Sequence, residues 1–244
     1  MSGNSLFMPS IFTCLNFFWG FFSIIKTFSG DYYTAAWFII LAILCDGMDG
    51  KLARWTHAET SFGFELDSLA DLISSGCAPA VLVYRGALER LDFAGVLFAF
   101  LFVFSSGYRL ARFNVVQAGD RSHGYSGLPV PVAGMTVAAV WITRWTDPER
   151  FSVEFWLVML FILSVLMISK VPYDWPRLQF SGNWLRVVRS YVLLGLTALM
   201  AVFPGHTLFI LFSAYILVGV ARWIIMWIKG SVSISDFFLQ IPRK

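Results

Sequence analysis

Apolar stretches of about 20 residues recur along the whole chain, at roughly 11–28, 32–50, 66–84, 93–111, 128–145, 152–169, 187–204 and 207–228. In hydrocarbon every backbone N–H and C=O must be satisfied within its own segment, so a run of that length reads as a membrane-spanning helix. The chain is 58% hydrophobic and 14% charged, with a mean hydropathy of +0.71, and no part is both long and polar enough to form a separate soluble domain. The expected fold class is therefore all-α: a polytopic helical membrane protein of about eight transmembrane helices, one integral membrane domain over residues 1–244. The last two runs are separated only by Pro204, Gly205 and His206, which predicts an antiparallel hairpin, with one broken helix as the alternative.

The basic residues are distributed unevenly between loops. Of 18 Lys and Arg, 13 fall in the loops after even-numbered runs and in the C-terminal tail, and five after odd-numbered ones. That bias predicts even loops and both termini on the cytoplasmic side of the inner membrane. A net charge of +3 gives no basis for nucleic-acid binding. Cys14, Cys45 and Cys77 are odd in number and lie in apolar runs, so they read as small hydrophobes rather than a disulfide framework. His57, His123 and His206 are too scattered to suggest a histidine metal site. The start, MSGNSLFMPS, has no Lys or Arg and lacks the basic region of a signal peptide.

Against that apolar background, Asp46, Asp49, Asp67 and Asp71 fall within one short stretch. A carboxylate near hydrocarbon costs several kcal/mol unless it is paired, solvated or bound to a cation. Residues three or four apart share a helix face, so Asp46 and Asp49 are neighbours at the end of the second run, and Asp67 and Asp71 on the third. The short loop between them, about 51–63, folds the helices side by side and brings the two pairs together, as metal sites in helical bundles are built. Oxygen-only ligation suits Mg²⁺ or Mn²⁺, with Ca²⁺ also compatible, and four carboxylates have room for two ions. Gly47, Gly50 and Ala53 keep the helix surface low for a close-lying ligand, and Arg54 shares the face of Gly50 and suits a phosphate. One Asp pair with one Arg would be satisfied as a solvated helix cap; four Asp, three Gly and one Arg in fixed register would not. A divalent-cation transporter would use the same carboxylates, although no second acidic layer lies deeper in the chain. The absence of a GxxxxGK[ST] loop excludes an ATP-driven pump built on that motif.

The pattern D46-G-M-D49-G50-x-x-A53-R54, then eight residues, then G63-x-x-x-D67-x-x-x-D71, resembles the signature of the CDP-alcohol phosphatidyltransferases at every defining position. The resemblance implies a six-helix membrane core over about residues 8–200, with the last one or two helices additional. It also implies that Asp46, Asp49, Asp67 and Asp71 ligate the metals and that Asp71 doubles as the general base. Gly50, Arg54 and Thr60 then correspond to positions that hold the cytidine and diphosphate of a CDP-lipid, and Thr13, Asn16, Asp49, Ala53 and Gly63 complete the implied CDP-lipid contacts. The implied reaction is in-line attack of an alcohol on the lipid-bearing phosphate, with CMP leaving. Members of that family often dimerise, and a homodimer is a partner the resemblance allows, beside the membrane lipids.

The acceptor alcohol is read from outside the signature. GYRLARFNV (107–115), GYSGLPVPVAG (124–134), FSGDYYTAAWF (28–38) and the N-terminal MPSIFTCLNFFWGFFSI (8–24) resemble the membrane-integral phosphatidylserine synthases of the family. That subgroup usually begins Pro-Asn-x-x-Thr-x-x-Asn; Ser10 replaces the first Asn here, while Thr13 and Asn16 remain. The resemblance implies CDP-diacylglycerol, or an archaeal CDP-ether lipid, and L-serine as substrates. Serine carries a carboxylate, and Arg109 and Arg112 sit three apart on one helix face with Asn114 close by, which suits a serine- or phosphate-binding site; the same two arginines also fit a positive-inside anchor. Glycerol 3-phosphate, inositol and inositol phosphate are the alternative acceptors; a phosphorylated one calls for a denser basic cluster. Asp120, Arg121 and His123 read as solvated loop.

Overall fold

The computed structural model describes the backbone of residues 4–56, 61–119, 127–146, 151–171, 173 and 203–229, and the side chains of most of these. Among the described residues every secondary-structure element is helical. Helix α1 spans Asn4–Phe28 and α2 Tyr32–Thr56. The third run breaks into α3 (Ser61–Asp71), a π-helical turn (Leu72–Cys77), α4 (Ala78–Val83), a second π turn (Tyr84–Leu88) and a 3₁₀ turn (Glu89–Leu91). Helices α5 (Asp92–Gly119), α6 (Val130–Thr146), α7 (Val153–Ile168) and α8 (Pro204–Ile228) follow. The expected run at 187–204, and with it the hairpin to α8, lies outside the described residues.

Two of these helices, at Ile11–Phe28 and Pro204–Ile228, are long and apolar enough to cross a membrane; Tyr32–Met48, Val130–Arg144 and Val153–Ile168 are shorter apolar helices. Large apolar side chains such as Phe18, Phe21, Phe100, Phe161, Ile210 and Leu217 face outward, the arrangement expected where the surrounding solvent is lipid.

Local chemistry explains the α1–α2 corner. Gly30 takes φ +78°, a left-handed conformation open to glycine, and its N–H donates to the Thr27 carbonyl at 3.0 Å, ending α1. Asp31 follows as N-cap, its Oδ1 accepting from the Thr34 N–H at 3.2 Å. The two helices then run back along each other, with Trp19 stacked on Phe38 at a centroid distance of 5.1 Å.

Two sequence expectations change here. The loop expected at about 51–63 is much shorter, because α2 continues through the Gly-containing stretch to Thr56 and α3 already begins at Ser61. The third run is not one regular helix: a π turn interrupts it where α1 and α6 press close on its backbone. A Cβ on Gly20 of α1 would lie 2.6 Å from Ser74 Cα, and one on Gly134 of α6 would lie 2.9 Å from the Ser75 carbonyl oxygen. Neither contact leaves space for a methyl group. Small residues thus let three backbones meet where side chains would hold them apart, the usual device of membrane helix packing. Hydroxyls in the helix interiors bond back to the preceding turn, as Ser106 Oγ does to the Phe102 carbonyl at 2.8 Å and Ser164 Oγ to Leu160 at 2.7 Å.

The stretch 127–134, quoted above only as a resemblance, gains a physical account. Gly127 has φ +85°, and a Cβ there would meet the carbonyl oxygens of Met167 at 2.6 Å and Ser169 at 2.7 Å. Its N–H donates to Val171 O at 2.9 Å and that of Leu128 to Leu166 O at 3.0 Å, so the approach to α6 is bonded to the end of α7. Helix α8 packs on α6, and Gly219 makes room for the ring of Tyr173, whose burial pushes its phenol above the usual range.

Candidate active site

The centre of the site is Asp71, the last residue of α3, only 8% exposed. Asn16 Nδ2, on the buried face of α1, donates to Asp71 Oδ1 at 3.1 Å. The charges of Asp46 in the second half of α2, Asp67 one turn earlier on α3, and Arg109 on α5 all act on the Asp71 carboxylate. Three of the four expected aspartates therefore share one electrostatic neighbourhood, with the buried Arg109 contributing an opposing positive charge. The π turn directly after Asp71 is wedged against α1 and α6 at Ser74 and Ser75, so the backbone that carries this carboxylate is closely packed on both sides.

Arg109 and Arg112 share a helix yet serve different neighbours. Arg112 turns to α7, its two terminal nitrogens donating to the Ile168 carbonyl at 2.9 Å and the Ser169 carbonyl at 3.2 Å. Carbonyls at a helix C-terminus lack intrahelical donors, and a guanidinium fork suits them. Asn114 bridges α5 to α3: it accepts from Ser68 Oγ at 3.2 Å, and its amide donates to Glu65 Oε2 at 3.2 Å. Ser68, Glu65, Gly20, Ser74, Ser75, Gly127 and Gly134 were not singled out in the sequence as parts of the site or its scaffold. Gly20 and the glycines of 127–134 carry one available signal, their place within segments that resemble the family.

Thr13 is buried on α1 one turn before Asn16, and Gly63 lies half-buried at the start of α3. A groove of ≈ 370 Å³ opens beside Thr13 between α1 and α3, lined by Thr13, Cys14, Phe17, Phe18, Phe21 and Leu66. Asp49, Gly50, Ala53 and Arg54 continue the α2 backbone, but their side chains, and the whole of Thr60, lie outside the described residues; so do Asp120, Arg121 and His123.

Asp46, Asp67 and Asp71 offer only hard oxygen donors and an excess of negative charge over Arg109, which suits a divalent ion in kind. Among the described residues no group of three or more His, Cys, Asp or Glu closes on one point, and the fourth expected ligand, Asp49, is not among the described side chains.

Residues 6–171 match the profile of the CDP-alcohol phosphatidyltransferases, and the chain belongs to that family. The family is membrane-integral, generally divalent-metal dependent, and made up of phosphotransferases. The chain is 30% identical to a CDP-diacylglycerol–serine O-phosphatidyltransferase of Helicobacter pylori over 93% of this chain and 95% of that protein. It is 35% identical to an archaetidylserine synthase of Methanothermobacter thermautotrophicus over 72% of each chain. A CDP-diacylglycerol–serine O-phosphatidyltransferase of Bacillus subtilis is 33% identical over 68% of this chain and 89% of its own length.

Proposed function

We propose that this protein transfers the phosphatidyl group of a CDP-lipid to the hydroxyl of L-serine. The observation that carries the reading is agreement along nearly the full chain with a relative named for that reaction, together with an aspartate site suited to it. The serine hydroxyl attacks the lipid-bearing phosphorus, a new P–O bond forms, the bond to CMP breaks, and CMP carries away the electron pair. Asp71, oriented by Asn16, accepts the hydroxyl proton. A divalent metal, Mg²⁺ or Mn²⁺ and in all two ions, would be held by Asp46, Asp49, Asp67 and Asp71 and would neutralise the diphosphate. Arg109, buried beside Asp71, contacts the serine carboxylate or the phosphate, while Arg112 holds the end of α7 in place behind it. Gly50, Ala53, Arg54, Thr60 and Gly63 take the CDP moiety. Thr13 lines the groove between α1 and α3, whose apolar walls suit a lipid chain.

The finer architecture belongs to the same proposal: about eight membrane helices around a six-helix core, the site and both termini on the cytoplasmic side of the inner membrane, and a homodimer as the assembly. The test is purified protein given radiolabelled serine, CDP-diacylglycerol and Mg²⁺ or Mn²⁺. Labelled lipid and CMP appearing together support serine as acceptor. CMP released only with glycerol 3-phosphate or inositol would reassign the alcohol. Cation flux in liposomes without CMP would replace the enzyme by a transporter.

A further inference from the structure

At the end of the bundle away from the aspartates, several nitrogen donors lack an acceptor among the described residues. Gly134 meets the π turn near Asp71, and Arg144 lies ten residues further along α6, about 15 Å at the helical rise. Arg144 is half-buried over the face of Trp141, at 4.7 Å from guanidinium carbon to ring centroid, and 5.9 Å from that of Trp156. The two indoles stack on each other at 5.0 Å, and Tyr32 packs on Trp141 at 5.4 Å. Gly86 makes this possible, since a Cβ there would lie 2.3 Å from Trp141 Cη2. The guanidinium is therefore held on a prepared aromatic shelf rather than left to roam as a surface arginine does.

Among the described residues, one terminal nitrogen of Arg144 and the indole nitrogens of Trp141 and Trp156 are all buried without a hydrogen-bond partner. Trp156 is fully buried and Trp141 is 6% exposed. Arg85, whose carbonyl accepts from Tyr32 Oη at 3.3 Å, adds a buried, unpartnered Nε. Glu89 is already engaged by the Arg85 guanidinium. Every orphan group here is a donor, and the cluster carries the charge of Arg144. Water would satisfy a donor but would not neutralise the cation. A group with several acceptor oxygens and negative charge does both.

We propose that this end of the molecule, remote from the active site, is a binding site for a phosphate oxyanion, with Arg144 as its anchor and Trp141 and Trp156 as its platform. The place of the cluster near the end of an apolar helix makes a phospholipid headgroup the natural source, with free phosphate as the other.

The site is tested on the full-length protein, delipidated in neutral detergent, by native mass spectrometry against added phosphatidylglycerol, diacylglycerol and inorganic phosphate. CMP and EDTA are present throughout to suppress binding at the aspartates. Wild type should bind one phosphatidylglycerol that Arg144→Gln binds about tenfold more weakly, the scale of one lost charge-assisted hydrogen bond. Arg144→Lys, which retains the charge without the planar fork, should fall between them and serves where the Gln variant folds poorly. Competition by inorganic phosphate supports an oxyanion site open to both sources; lipid binding unaffected by phosphate supports a headgroup site alone. Equal phosphatidylglycerol affinity in wild type and both variants overturns the proposal, as does an equal loss of diacylglycerol binding. It is also overturned if an Asp147→Asn, Glu149→Gln variant destabilises the protein as much as Arg144→Gln does, since those two neighbours in sequence would then be the counter-charge.

Discussion

The two ends of this bundle have opposite electrostatic deficits. Around Asp71, carboxylates outnumber the positive charge that Arg109 supplies. Around Arg144, several nitrogen donors have no acceptor among the described residues. Both sites are built on helix interiors with glycines opening the space: Gly20 and Gly134 at one end, Gly86 at the other. They differ in how tightly the charged group is tied. Asp71 ends a helix whose next turn is locked between two neighbours, whereas Arg144 rests on aromatic faces and makes no ion pair among the described residues. A reacting group needs a fixed direction, while a site for a diffusing anion needs only a fixed floor.

The sharpest way to break this contrast is Asp71→Asn. Turnover in the serine-transfer assay should fall by about 10²–10⁴-fold, the usual contribution of a general base, while CDP-lipid binding largely survives. Near-normal kcat would remove Asp71 from that role. Next in size is Gly134→Ala. The added methyl meets the Ser75 backbone, and overpacking of this kind costs about 1–3 kcal/mol. Both the thermal midpoint and kcat should drop, because the turn that displaces also aims Asp71; a fall in stability with unchanged kcat would uncouple the turn from catalysis.

Arg112→Ala removes two charge-assisted bonds from the end of α7, a loss of about 1.5–3 kcal/mol in stability. If the serine KM rises while the thermal midpoint holds, Arg112 contacts substrate after all. Asn114→Ala loses the Ser68 and Glu65 links and should cost about 0.5–1.5 kcal/mol by chemical denaturation. Smallest of all, Arg144→Gln should leave serine transfer within roughly twofold of wild type, measured in detergent without added anionic lipid. A large loss there would mean that the two ends are coupled.

How legible this was in the sequence varies from element to element. Helices α5 to α8 begin within a few residues of their expected positions, because long apolar runs leave the backbone no other way to satisfy itself. The aspartate spacing likewise brought Asp67 and Asp71 onto one helix and Asp46 toward them. The interruption of the third run after Asp71 was not legible. Nothing in LISSGC marks a π turn until Gly20 and Gly134 are seen pressing on it from other helices. Arg109 and Arg112 looked equivalent from their spacing, and only their neighbours separate them.

By itself, then, the sequence determined what depends on local periodicity and on residue chemistry: a helical membrane chain, a carboxylate cluster with a need for cations, and membership of a recognisable family. The tertiary structure alone decided which arginine accompanies Asp71 and which ties down α7, how Asp71 is aimed, and that the far end gathers donors left without acceptors among the described residues. The reason is physical. Helical register fixes which residues share a face, but what a side chain meets across that face is set by helices distant in sequence, and close backbone approach is a property of pairs of helices rather than of either one.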